Sequence, residues 1–185
     1  MKNLVYLLII GLLVASCGEV VVSEDALETN GPVLPTQEDG YKAIVELHET
    51  MLYDNLKANK VKANELFDLT LVFLERFPET DVRMEVMEYG RAAATGSDNL
   101  QGADRLLKMM IEEFPEHPLR AEKMSLRAYT LWKLKDIAGS TRLYTQIIEE
   151  YPNTEWSADA EGSLMMNNLD TDDGKLPDYF EKPNS

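Results

Sequence analysis

Three aromatic–proline pairs, Phe77-Pro78, Phe114-Pro115 and Tyr151-Pro152, punctuate the chain at equal steps, each proline lying 37 residues after the one before. The same step superposes Leu69, Leu106 and Leu143, then Leu74, Ile111 and Ile148, then Glu75, Glu112 and Glu149. Proline cannot continue a helix and disfavours helical backbone at the residue before it, so each pair should end a helix at the same place. Upstream, Leu106, Leu107, Met110, Ile111 and Phe114 recur at three- and four-residue steps, as do Ile137, Tyr144, Ile147, Ile148 and Tyr151; each set is one apolar stripe. Downstream, a second helix should open in each unit, with Thr80 or Asp81, and Thr154, as N-caps. The pattern predicts seven helices, over 38–57, 60–76, 81–95, 99–114, 118–134, 137–150 and 155–168, the last closing the stack. A two-helix unit cannot bury its stripe alone. Stacking such units does so, and the fold predicted is all-α, a right-handed α-solenoid.

Composition narrows the function classes. The chain has 185 residues, of which 44% are hydrophobic, enough for a packed core. Its formal net charge of −15 argues against binding nucleic acid, because phosphates would be repelled. The single cysteine, Cys17, excludes a disulfide framework and a multi-cysteine metal site. There are two histidines. A helical metal pair with His48 would need a ligand three or four residues away, where Ile44, Val45, Met51 and Leu52 stand. His117 falls in the corner between Pro115 and Pro118, a turn-packing position. Gly-rich phosphate loops, nucleophile elbows and His-Glu-x-x-His zinc motifs are missing from the sequence. The expectation is a protein that is not an enzyme and takes no cofactor.

The amino terminus reads as an address. Lys2 precedes an apolar run from Leu4 to Ala15, about 18 Å as a helix at ~1.5 Å per residue and short of the ~30 Å hydrocarbon core. A positive start, a short apolar stretch and a small-residue exit describe a secretory signal. The string Leu13-Val14-Ala15-Ser16-Cys17 resembles the lipobox of bacterial lipoproteins. That resemblance implies cleavage before Cys17 and lipidation of its thiol, which then serves as an anchor and not as a nucleophile or redox group. Residues 1–16 are accordingly read as signal peptide and 17–36 as lipidated cysteine plus flexible tether. Residues 37–169 are read as the helical repeat domain and 170–185 as a disordered acidic tail. Under the same resemblance Gly18, in place of an aspartate after the cysteine, favours the outer membrane, and the address expected is an outer-membrane lipoprotein of the cell envelope, facing the periplasm.

The segment from Ala128 to Tyr144, closing at Tyr151-Pro152, resembles a tetratricopeptide repeat: Ala128 and Ser140 stand at the small packing positions, with Tyr144 the aromatic that follows. In the preceding copy Ala103 and Pro115 match, whereas Leu107 replaces the aromatic and Arg91 the small residue. The first copy keeps Pro78, with Leu66 and Thr70 in the packing positions. Units three residues longer than the usual ~34, with the excess after each proline, resemble those of envelope proteins such as the Tol–Pal-associated coordinator of cell division and the lipoprotein of the outer-membrane β-barrel assembly machine. The resemblance implies a concave face lined by first helices. In this register Glu85, Glu88, Glu122, Ser125, Tyr129 and Trp132 project there, Trp132 as either a peptide anchor or core. The implied function is a lipid-anchored adaptor that binds another envelope protein or peptide, the glutamates favouring a basic one, and touches the membrane through its lipid only.

A second reading rests on the tail. The stretch from Asp170 to Asp178 resembles a calcium loop of thrombospondin type 3 repeats, with Asp170, Asp172, Asp173 and Asp178 as carboxylate ligands suited to a hard cation. It is one residue short and solitary, so the alternative expectation is a calcium- or small-ligand-binding surface lipoprotein set against a solvated tail.

Overall fold

The computed structural model describes residues 36–52 and 59–169. Over them the protein is all-α, with seven helices and no strand: α1 Gln37–Leu52, α2 Lys60–Arg76, α3 Arg83–Gly96, α4 Leu100–Glu113, α5 Arg120–Lys133, α6 Ile137–Glu150 and α7 Glu155–Leu169. Each helix packs on the next in the chain, and α1 also meets α3, as α5 meets α7. The expected extension of the first helix to residue 57 falls outside the described residues, as do the signal, Cys17, all of the tether except Thr36, and the acidic tail with Asp170, Asp172, Asp173 and Asp178.

The 37-residue step is carried into the backbone. Helices α2, α4 and α6 stop at Arg76, Glu113 and Glu150, and each is capped by the aromatic before the proline. Phe77, Phe114 and Tyr151 share φ near −125° and donate their amides to the carbonyls of Phe73, Met110 and Ile147. After the proline the chain makes two linked turns, in which Thr80 donates to Phe77 and Arg83 to Thr80; His117 and Arg120 repeat both bonds. These turns displace the expected N-caps. Val82 and Leu119 occupy the cap positions without a side-chain bond, and Thr80 serves the turn instead, accepting from the Val82 amide at 3.4 Å. His117 does the same job one unit later, its Nδ1 accepting from the Leu119 amide at 3.2 Å. Thr154 does cap α7, its hydroxyl accepting from the Ser157 amide while Ser157 Oγ accepts from its own. Thr36, counted with the tether, caps α1 by accepting from the Asp39 amide at 3.1 Å.

The tight corners inside each unit repeat too. Asp98 and Lys135 adopt φ of 63° and 66°, a left-handed residue that ends one helix and redirects the chain. Asn99 and Asp136 then open the next helix, their side chains accepting from the Gly102 and Gly139 amides. An ion pair recurs at the same step: Arg83 grips Glu113 through two nitrogens, at 2.6 and 3.1 Å, and Arg120 grips Glu150. Each joins the start of one hairpin to its end.

Burial follows the stripes. One apolar cluster gathers Ile44, Leu66, Phe73, Val86, Met87, Leu106 and Met110 from α1 to α4. A second gathers Ile111, Met124, Ala128, Tyr144, Ile147 and Leu164 from α4 to α7. Full burial of side chains such as Ile147 or Leu164 contributes about 1.5–3 kcal/mol each. The small residue missing at Arg91 is supplied one position earlier. A Cβ on Gly90 would stand 2.5 Å from the Thr70 methyl and 2.9 Å from Leu106 Cδ1, so α3 approaches α2 and α4 through a glycine while Arg91 turns aside to Glu88.

Candidate interaction sites

The six predicted groove residues separate into two places. Glu85 and Glu88 line a cavity of about 390 Å³ between the starts of α3 and α5, with Asp81, His117 and Lys123. Ser125 and Tyr129 line a larger one, about 510 Å³, between α5 and α7. Tyr129 and Trp132 line its continuation of about 240 Å³, with Tyr144, Ser163 and Met166 common to both parts. Glu122 stands between the two places and faces Lys123.

The first place is governed by a residue that the composition of the helix did not single out. Lys123 is only 4% exposed, and its ammonium lies 3.2 Å from Glu88 and 2.9 Å from Glu122. Glu88 also accepts two bonds from Arg91 at 3.0 and 2.7 Å. Burial alone would raise the Glu88 carboxyl, but Arg91 and Lys123 outweigh it and hold the group below its ordinary value. Glu85 accepts from the Tyr89 hydroxyl at 2.8 Å. That bond, with burial, pushes the phenol up to about 12. Two of the three glutamates expected to greet a basic partner are thus already neutralised from within. The repeat register held a signal for this: 37 residues earlier stands Val86, a core residue with no exposure.

The second place is aromatic. Tyr129 is 52% exposed and stacks on Trp132, centroids 5.8 Å apart and planes 20° apart. Lys133 and Lys135 lie over the two rings, 5.9 and 5.5 Å from their centroids. Across the groove, α7 presents Met166, 64% exposed, and Gly162, whose added Cβ would meet nothing within 4 Å. The floor is Tyr144, which comes from α6 and is 5% exposed. Asn167, buried at one end, donates to the Ser140 hydroxyl at 3.0 Å and fixes α7 on α6. Trp132 is half-buried and lines the groove beside Tyr129.

The histidines take structural places. His48 lies against the Tyr89 ring, centroids 4.6 Å apart, and burial lowers its pKa. Among the described residues no three His, Cys, Asp or Glu side chains come together as a metal site, and no helix is long and apolar enough to cross a membrane. Comparison of the sequence with protein-family models and with curated proteins finds no match.

Proposed function

We propose that the chain is a lipid-anchored adaptor of the bacterial cell envelope, facing the periplasm, that holds another envelope protein and carries out no chemistry. The observation that carries this reading is the open aromatic groove between α5 and α7. A stack of repeated hairpins, wound as a right-handed solenoid, leaves its inner helices free to present such a groove. Exposed aromatic and methionine side chains around a concave floor are the features on which peptide recognition concentrates. The lipobox-like string ending at Cys17 supports the anchor. The acidic body supports a standing-off position, since a net charge of −15 is repelled by anionic headgroups.

Two measurements test it in the native cell. Metabolic labelling with an alkyne fatty acid should mark the wild-type chain and fail on Cys17→Ser; equal labelling removes the anchor. A photo-crosslinking amino acid at Tyr129 should trap a discrete envelope protein that the same group at Val61, 76% exposed on α2, does not. Identical crosslinks from both positions would end the adaptor reading.

A further inference from the structure

Resting on that reading, we infer that the α5–α7 groove takes an extended peptide segment with one aromatic anchor, a carboxylate on one side of it and a cation on the other. Three of the large apolar side chains left exposed among the described residues, Tyr129, Met165 and Met166, belong to the two helices that wall this groove. The paired rings of Tyr129 and Trp132 give an aromatic side chain an apolar wall to pack against, edge to face.

Charge supplies the direction. Asp159 lines the end of the groove beside Ser125 and Leu126. Lys133 and Lys135 lie over the rings at the opposite end. Lysines near a helix C-terminus complement the helix dipole in any protein, but that role does not require both ammoniums to sit above the rings that line the cavity. From Leu126 to Lys133 the helix rises roughly 10 Å at ~1.5 Å per residue. An extended chain covers that distance in about three residues, so the partner's two charges stand three to four residues apart with the aromatic between them. The net charge of −15 selects against a uniformly acidic segment. Glu88 and Glu122, being committed to Lys123, no longer ask for a uniformly basic one. What fits is a segment of balanced charge.

The test uses the full-length chain in detergent and capped synthetic peptides with Arg, Phe and Glu at alternate positions between glycines, in both orders. Binding is read by tryptophan fluorescence and by calorimetry. The tighter of the two orders is the reference peptide. Replacing its Phe by Gly should weaken binding by tenfold or more, and replacing its Glu by Lys by about threefold to tenfold. The double variant Lys133→Glu, Lys135→Glu leaves both ends acidic and should prefer the peptide whose Glu is replaced by Lys. Gly162→Leu, which projects into open space, should abolish binding while the melting temperature is kept or raised. Equal affinity for the Glu and Lys peptides, or undiminished binding to Gly162→Leu, overturns the inference. So does displacement of the peptide by a second copy of the chain or by a peptide of residues 170–185, either of which would be the true occupant. If no peptide binds up to millimolar concentration while the Tyr129 crosslink persists, this partner chemistry is wrong and the adaptor reading stands; loss of the crosslink as well removes both.

Discussion

Two glycine-to-alanine substitutions separate close packing from helix propensity. Gly90 and Gly162 both sit inside helices, so alanine at either place gains about 0.8–1 kcal/mol of intrinsic propensity. At Gly162 the new methyl meets nothing within 4 Å, and that gain should appear as added stability. At Gly90 the methyl arrives 2.5 Å from Thr70 Cγ2 and 2.9 Å from Leu106 Cδ1, both on residues with no exposure. Neither neighbour has room to withdraw, and overpacking of this kind costs about 1–3 kcal/mol. Propensity cancels in the comparison of the two variants, leaving the steric cost alone. For a body of this size it corresponds to a gap of roughly 3–10 °C between their melting temperatures. Circular dichroism melts and urea midpoints measure it. Thr70→Ser removes the nearer methyl and should recover part of the loss in a double-mutant cycle. A gap under about 1 °C, or no rescue by Thr70→Ser, would refute the packing of α3 against α2 and α4.

The same packing sets three further outcomes. The Glu88 carboxyl is held below its unfolded value of about 4.5, so its contribution is fully present above that pH and lost as pH falls through the lower folded value; Glu88→Gln should flatten this acid limb of the melting profile and leave pH 7 to 8 parallel to wild type. Thr70 Oγ1 is buried without a hydrogen-bond partner, so Thr70→Val should raise stability by about 1 kcal/mol, read as a higher urea midpoint at constant slope. Arg83→Ala removes a two-point grip on Glu113 and a 3.1 Å bond to the Leu74 carbonyl; it should cost about 1–2 kcal/mol, add to the loss from Arg120→Ala in the next unit, and leave helix content unchanged.

The parts of this fold that were legible in the sequence are those set by short stretches of chain. Pro78, Pro115 and Pro152 stop helices through their own rings, so the ends at Arg76 and Glu150 fall where the 37-residue step put them, and the one expected at 114 falls at Glu113. The starts of α3 and α5 were placed two residues early. There the turns are held by backbone bonds through Thr80 and His117, and residue type does not announce them. Arg91 stands out in the sequence as a departure from the small residue of the repeat pattern, whereas the compensation one position away does not: close approach needs an absent side chain somewhere on the packed face, and Gly90 meets that need as well as position 91 would.

The candidate site divides in the same way. Sequence register alone put Ser125, Tyr129 and Trp132 on one face of α5, because side-chain spacing along a helix is fixed by its geometry. Whether that face is open depends on what α7 sets opposite, and Gly162 and Met166 become a wall only once the helices are stacked. The charges show the difference most clearly. Composition made Glu88 and Glu122 part of an acidic field, yet Lys123 comes to the core position that Val86 holds one unit before and takes up both carboxylates. Burial makes a charge find its counter-ions wherever the fold supplies them, Glu122 beside Lys123 in the chain and Glu88 from the helix before, and only the assembled structure brings the second within reach.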